Sequence, residues 1–322
     1  MFVTVDEAKK LINQGKLLHI AGHANLLEQL PKGNWIGGST ILFMTAEGCT
    51  SSREKLHVTE FDFATDFKIK VYDKDTIFDM LSDDYPNGLN VLIMPKETPL
   101  VTYYAKESQL REELLFHPTV GWIAGKENSE PAECSRVFDG STGESYTDKG
   151  VVMFLELPEG KTAFINIVNI FEIDEESPVI TFQTEGNIVE NCCVDGKEVN
   201  LAEYIRENNI DTRLPLISDC NGVYLNSGIN YIDCDKTVFY VPVQTGFEYR
   251  VAKPVKDYVG KFAEKIREAG SVAPVFSCNC LLNYMYGHLK GEKIPPYEGP
   301  VTFGEIGYRM FGQTLVYCEI IG

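Results

Sequence analysis

Histidine and cysteine carry the spacings in this chain that would suggest metal or nucleophile chemistry. His19 and His23 stand four apart, which on a helix would place two imidazoles on one face for a metal ion. His19, however, lies in an apolar run that reads as a strand, and His23 follows Gly22, so the helical premise fails. Cys192-Cys193 would point to opposite faces of a strand. Cys278-Asn279-Cys280 is too close for a zinc knuckle and is not the redox spacing C-x-x-C. No metal is predicted. The phosphate-cradling patterns G-x-x-x-x-G-K-[ST] and G-x-G-x-x-G are missing, so no nucleotide cofactor is expected. A nucleophile needs a base and an orienting group beside it. Cys278 ends an apolar strand just before a helix, where a thiolate is favoured, yet His288 lies ten residues on and would point away. No catalytic residue is therefore expected; a hydrolase or transferase built on Cys278 is the alternative.

A second constellation surrounds one acid. Gly299, Gly304 and Gly307 permit tight bends, and Thr302 and Glu305 supply a hydroxyl and a carboxylate between them. If Phe303 faces the core, strand alternation turns Thr302 and Gly304 the other way. Small residues beside one acid suit the floor of a pocket for an amine-bearing ligand. The same acid could instead pair internally and lock the turn. The stretch Val275-Phe276-Ser277-Cys278, then Gly299–Ile306, then Gly312-Gln313-Thr314-Leu315, resembles the C-terminal part of FIST domains. That family carries a strand ending in Ser-Cys, a Gly-x-x-[TS]-[FY]-Gly-Glu-Ile segment and an Asn-Gln-Thr, with Gly312 here in place of the Asn. Gly37-Gly38-Ser39-Thr40 is similar to the family's N-terminal Gly-Cys-[ST]-[ST], with Gly38 in place of the Cys, and Leu281-Leu282-Asn283 stands where the family carries an Arg.

The resemblance implies a bacterial sensory or ligand-binding module for small polar metabolites such as amino acids, without catalysis. It places Ser39, Thr40, Cys278, Thr302, Gly304 and Glu305 around the ligand. With no output domain visible in the chain, the signal would pass to a separate signalling protein. An acidic scaffold that recruits a basic partner is a third reading.

The elements that must position these residues are legible from periodicity and caps. Thr4-Val5-Asp6-Glu7 is a capping box, followed by Ala8, Leu11 and Ile12 on one helical face. The run 35–45 reads as a buried strand interrupted by Gly37-Gly38, which marks a bulge or a close approach. A strand at 67–71, a helix, a strand at 89–94, a helix at 100–115 and a strand at 120–124 follow. At an offset near 180 residues the order recurs, with strands at 247–251, 273–278 and 301–306 and helices at 255–268 and 281–289. This predicts duplication. Between the copies lie mostly strands, Asp-Gly turns and one short helix at 199–208. The expected class is α+β, two similar halves of mixed and antiparallel sheets flanked by helices, divided as an N-terminal domain 1–130 and a C-terminal domain 131–322.

Composition bounds the partners. The 322 residues include 29 Lys or Arg and 47 Asp or Glu, a net charge of −18. Such a chain lacks the clustered cations that nucleic acid or an anionic membrane requires. The start mixes charge into its first ten residues, unlike a secretory signal, and no apolar run approaches the ~20 residues that cross a bilayer. Nine scattered cysteines show no disulfide framework, which points to the cytoplasm.

Overall fold

A computed structural model of the chain describes residues 1–322 except 126–133, 221 and 271–272. The protein is α+β. Its main body is one strand order written three times. The first copy runs β1 (Phe2–Val3), α1 (Val5–Asn13), β2 (Leu18–Gly22), α2 (Ala24–Leu27), β3 (Trp35–Ser39), the hairpin β4 (Leu42–Met44) and β5 (Thr50–Ser51), then β6 (Leu56–Glu60). The second runs β7 (Asp66–Tyr72), α3 (Met80–Asp83), β8 (Gly88–Pro95), α4 (Pro99–Leu110), β9 (Thr119–Ala124), the hairpin β10 (Val137–Asp139) and β11 (Glu144–Tyr146), then β12 (Gly150–Glu156).

The third copy opens with β13 (Thr162–Val168) and is then interrupted by an insert. The insert comprises β14 (Ile180–Thr181), β15 (Gly186–Val189), β16 (Asn191–Val194), β17 (Lys197–Asn200), α5 (Leu201–Glu207), β18 (Leu216–Cys220), β19 (Val223–Ser227), β20 (Ile229–Asp233), β21 (Lys236–Val243) and β22 (Glu248–Val251). The copy resumes with α6 (Tyr258–Ala269), β23 (Phe276–Cys280), α7 (Leu281–Tyr286), β24 (Gly299–Thr302), the hairpin β25 (Glu305–Gly307) and β26 (Arg309–Phe311), then β27 (Leu315–Ile321).

Each copy pairs its strands alike. The orders are β1-β6-β2-β3, β7-β12-β8-β9 and β13-β27-β23-β24, with the last two strands of each set parallel and the other neighbours antiparallel. The hairpins are exchanged. β10–β11 of the second copy extends β3 of the first, β25–β26 of the third extends β9 of the second, and β4–β5 of the first extends β24 of the third. The exchange closes the three copies into a ring. Its middle is one apolar core fed by all three sheets, with Ala21, Ile36, Val91, Trp122, Val151, Phe276 and Val316 among its buried members. The insert has a core of its own, centred on Phe182, Phe239 and Leu201.

Local chemistry explains the element ends. Thr4 and Glu7 form the reciprocal capping box at the start of α1. Thr98 caps α4 with Pro99 in its first turn, where a missing N–H costs nothing. The run 35–45 is two strands, because the chain leaves the first sheet after Ser39 and enters the third at Leu42. Gly38 is a close approach: a Cβ there would lie 2.8 Å from the Trp122 ring and from Ile93.

The expected duplication is present as the second and third copies, with a further copy ahead of them. The segment 247–251, however, is β22 of the insert; β13 holds the edge position that corresponds to β7. The expected boundary at 130/131 falls outside the described residues, and strands from both sides of it, β7, β8 and β12, share one sheet.

Candidate functional site

At one end of the ring the three parallel strands β3, β9 and β24 finish side by side. The Ser39 hydroxyl donates to the Gly125 carbonyl at 2.7 Å, and the Gly125 amide donates back to the Ser39 carbonyl. The Thr40 hydroxyl donates to the Val301 carbonyl at 2.9 Å, and the Ile123 amide donates to the Gly304 carbonyl. Phe303 packs flat against Gly125, whose Cβ would sit 1.8 Å from its ring. Residues from opposite ends of the sequence therefore meet here. The meeting point is filled.

Glu305 is the centre of this end. It is fully buried, and its oxygens meet hydroxyls and an amide. Thr302 Oγ1 lies 2.7 Å from Oε1, Thr314 Oγ1 lies 3.0 Å from Oε2, and the Thr314 amide donates to Oε2 at 3.3 Å. Burial raises its pKa to about 8 against the opposing pull of those hydrogen bonds. Thr302 is also 3.2 Å from the Asn279 carbonyl, Asn283 donates to the Asn279 side chain, and Tyr258 donates to Asn283 at 2.6 Å. These contacts make a continuous polar chain from β25 to α6.

Cys278 sits below this cluster in β23, wholly buried, with its thiol directed at the Gly121 carbonyl at 3.4 Å. Burial pushes the thiol well above its ordinary value, and the ionisable neighbours that act on it, Glu305 and Cys280, are acids that raise it further. The carbonyl that the thiol meets cannot take its proton. All six residues expected at a ligand site are thus gathered near one another, yet Ser39, Thr40, Cys278, Thr302 and Glu305 are closed off from solvent. Asn279, Thr314 and Tyr258 complete the cluster and were not singled out from sequence; Thr314 within Gln313-Thr314-Leu315 offered the only hint.

His19 belongs to β2, where its Nε2 accepts from Trp122 Nε1 at 2.8 Å, and His23 caps α2. Among the described residues no group of three or more His, Cys, Asp or Glu is placed to hold a metal ion. All nine cysteines are free.

Open space lies elsewhere, at the neck where the insert leaves and rejoins the ring. A groove of about 580 Å³ is walled by Ile170 and Glu172 on the outgoing segment and by residues from Lys253 to Arg267 on the return. The two segments of the neck are tied by the Lys253 amide on the Glu172 carbonyl and by the isolated Ile173–Ala252 bridge. Four cations, Lys253, Lys256, Lys261 and Arg267, face three carboxylates, Glu172, Asp257 and Glu264. Lys253 reaches Glu172 at 3.3 Å and Lys261 reaches Glu264 at 3.5 Å, so two of the cations are engaged at the rim. In sequence this alternation is indistinguishable from the solvated face of a helix.

Residues 3–321 match the family of unknown function DUF6976, and the chain belongs to it. No curated protein and no solved structure matches. Among the described residues no helix is long and apolar enough to cross a membrane.

Proposed function

Since membership of that family assigns no activity, we propose from the geometry that the protein binds a small, amino-acid-like metabolite and performs no chemistry on it. The observation that carries the reading is the neck groove. Its volume suits a small polar molecule, and its walls present both charge signs within one cleft. A zwitterion places its carboxylate against Lys256 and Arg267 and its ammonium against Glu172 or Glu264. The likeness of 275–315 to FIST domains, a sensory family, points in the same direction. The ligand position differs from the one that likeness implies, because the Glu305 cluster is sealed and both carboxyl oxygens are engaged within it. Cys278, buried against a carbonyl and flanked by acids, argues against the cysteine-enzyme alternative.

A ligand in the neck touches the outgoing and returning segments together. Binding therefore bears on how the insert is held against the ring, which is how a separate signalling protein would read occupancy. Nine free thiols suit a reducing, cytoplasmic compartment.

The test is a thermal-shift and calorimetric screen of amino acids and polyamines on the wild type, on Lys256→Glu/Arg267→Glu, and on Glu305→Gln. Losing a charge-assisted hydrogen bond of roughly 1.5–3 kcal/mol weakens affinity about tenfold or more. The groove variant is expected to lose the ligand and Glu305→Gln to keep it. Binding that survives charge reversal in the groove and vanishes in Glu305→Gln would return the site to the sealed cluster.

A further inference from the structure

We propose that Glu305 is a neutral carboxylic acid in the folded protein, donating its proton to Thr302, and that loss of this proton is a switch that loosens the joint between the second and third copies. The argument is one of counting protons. The Thr302 hydroxyl has a single hydrogen and stands within reach of two oxygens, the Asn279 carbonyl at 3.2 Å and Glu305 Oε1 at 2.7 Å. The carbonyl can only accept. If the hydroxyl serves it, the shorter contact to Glu305 needs a second proton, and only the acid can supply it. The other oxygen, Oε2, takes the Thr314 hydroxyl and amide, as the carbonyl end of a protonated acid does. Both oxygens of Glu305 and the Thr302 hydroxyl are then paired.

The surroundings offer an anion hydrogen bonds but no counter-charge. The titratable groups that face Glu305 are Cys280 and Cys278 on β23 and Tyr258 on α6. Each can become negative and none positive, so a carboxylate here would have no counter-charge in a site closed to water. The rise of the Glu305 pKa to about 8, caused by burial, agrees with the proton count.

Position gives the proton its leverage. Glu305 opens β25 opposite Trp122, where the third copy's hairpin crosses to β9 of the second. Through Thr302, Asn279 and Thr314 it also ties together the ends of β24, β23 and β27. Ionisation breaks that tie where the two copies interlock. The direction of the pH effect follows from linkage: the folded pKa is raised above the ordinary 4.5, so the stability due to the proton is complete below 4.5 and is lost as pH rises through about 8.

Denaturant unfolding of the wild type and of Glu305→Gln between pH 5 and 9 tests this. The amide of Gln donates to Thr302 and accepts from Thr314 as the neutral acid does, so the variant is expected to fold. The ratio of folded to unfolded wild type is expected to fall by up to tenfold per pH unit from about pH 5 to 8 relative to the variant. A readout independent of the variant is 13C carboxyl NMR of glutamate-labelled wild type, where one carboxyl is expected to titrate near 8. Identical pH dependence in both proteins, or titration of every glutamate below pH 6, would overturn the proposal.

Discussion

Two histidines share the middle of the ring with aliphatic and aromatic side chains. His57 on β6 has neither ring nitrogen hydrogen-bonded, and His19 leaves its Nδ1 unpaired while Nε2 accepts from Trp122. Because Nε2 is an acceptor, His19 is neutral, with its proton on Nδ1. Burial lowers its pKa to about 3, and burial together with the chain's amino terminus and His19 lowers that of His57 well below the ordinary 6.5. Both are uncharged when folded and charge below about 6.5 when unfolded, so the stability they give is full above 6.5 and is lost as pH falls, for His19 toward about 3. Each histidine contributes up to about 1.4 kcal/mol per pH unit in that window. His57→Leu is expected to shrink the acid slope by about half of the histidine share; urea midpoints at pH 5 and 7 measure it. An unchanged slope would place the acid sensitivity elsewhere. In sequence His19 was visible as a strand residue, because Leu17–Ala21 is apolar on both sides of it. His57 was not, since His-Val-Thr-Glu alternation also describes a half-exposed edge.

Strands and caps were legible wherever the signal was local. Thr4 and Glu7 cap α1, and the β8–α4–β9 and β23–α7–β24 order shows in periodicity alone. The hairpin exchange was hidden because β4, β10 and β25 are three-residue strands whose partners lie in other copies, and pairing over such separations leaves no mark in a short window. The first copy was hidden for a related reason: β1 has two residues and α2 a single turn, too little for a repeat to be seen. One residue tests how tightly the copies interlock. Gly38 of the first copy lies against Trp122 and Ile93 of the second, so Gly38→Ala overpacks that contact. A loss of about 1–3 kcal/mol is expected from the denaturant midpoint. A change under ~0.5 kcal/mol would mean that the two copies give way freely where they meet.

At the scale of the whole molecule the ring should behave as one unit, because no copy owns a complete sheet. Trp35 lies in the first sheet and Trp122 in the second, so Trp35→Phe and Trp122→Phe leave one fluorescent reporter each. Their unfolding curves are expected to coincide; separate midpoints would show copies melting alone. On the proposed reading, the insert, with its own core and its entry and exit tied at the neck, is the part that meets the ligand. That reading places binding at the groove walled by Glu172, Lys256 and Arg267 rather than at the six residues expected from the sequence. The cluster at Glu305 looked like a pocket because small residues around an acid describe a ligand floor and a sealed polar joint equally well. The most direct measurement is a backbone-amide NMR titration of the 15N-labelled protein with the amino acids that raise its melting temperature. Shifts confined to 170–174 and 253–267 are expected. Shifts centred on 299–314, or none with any compound, would contradict the account.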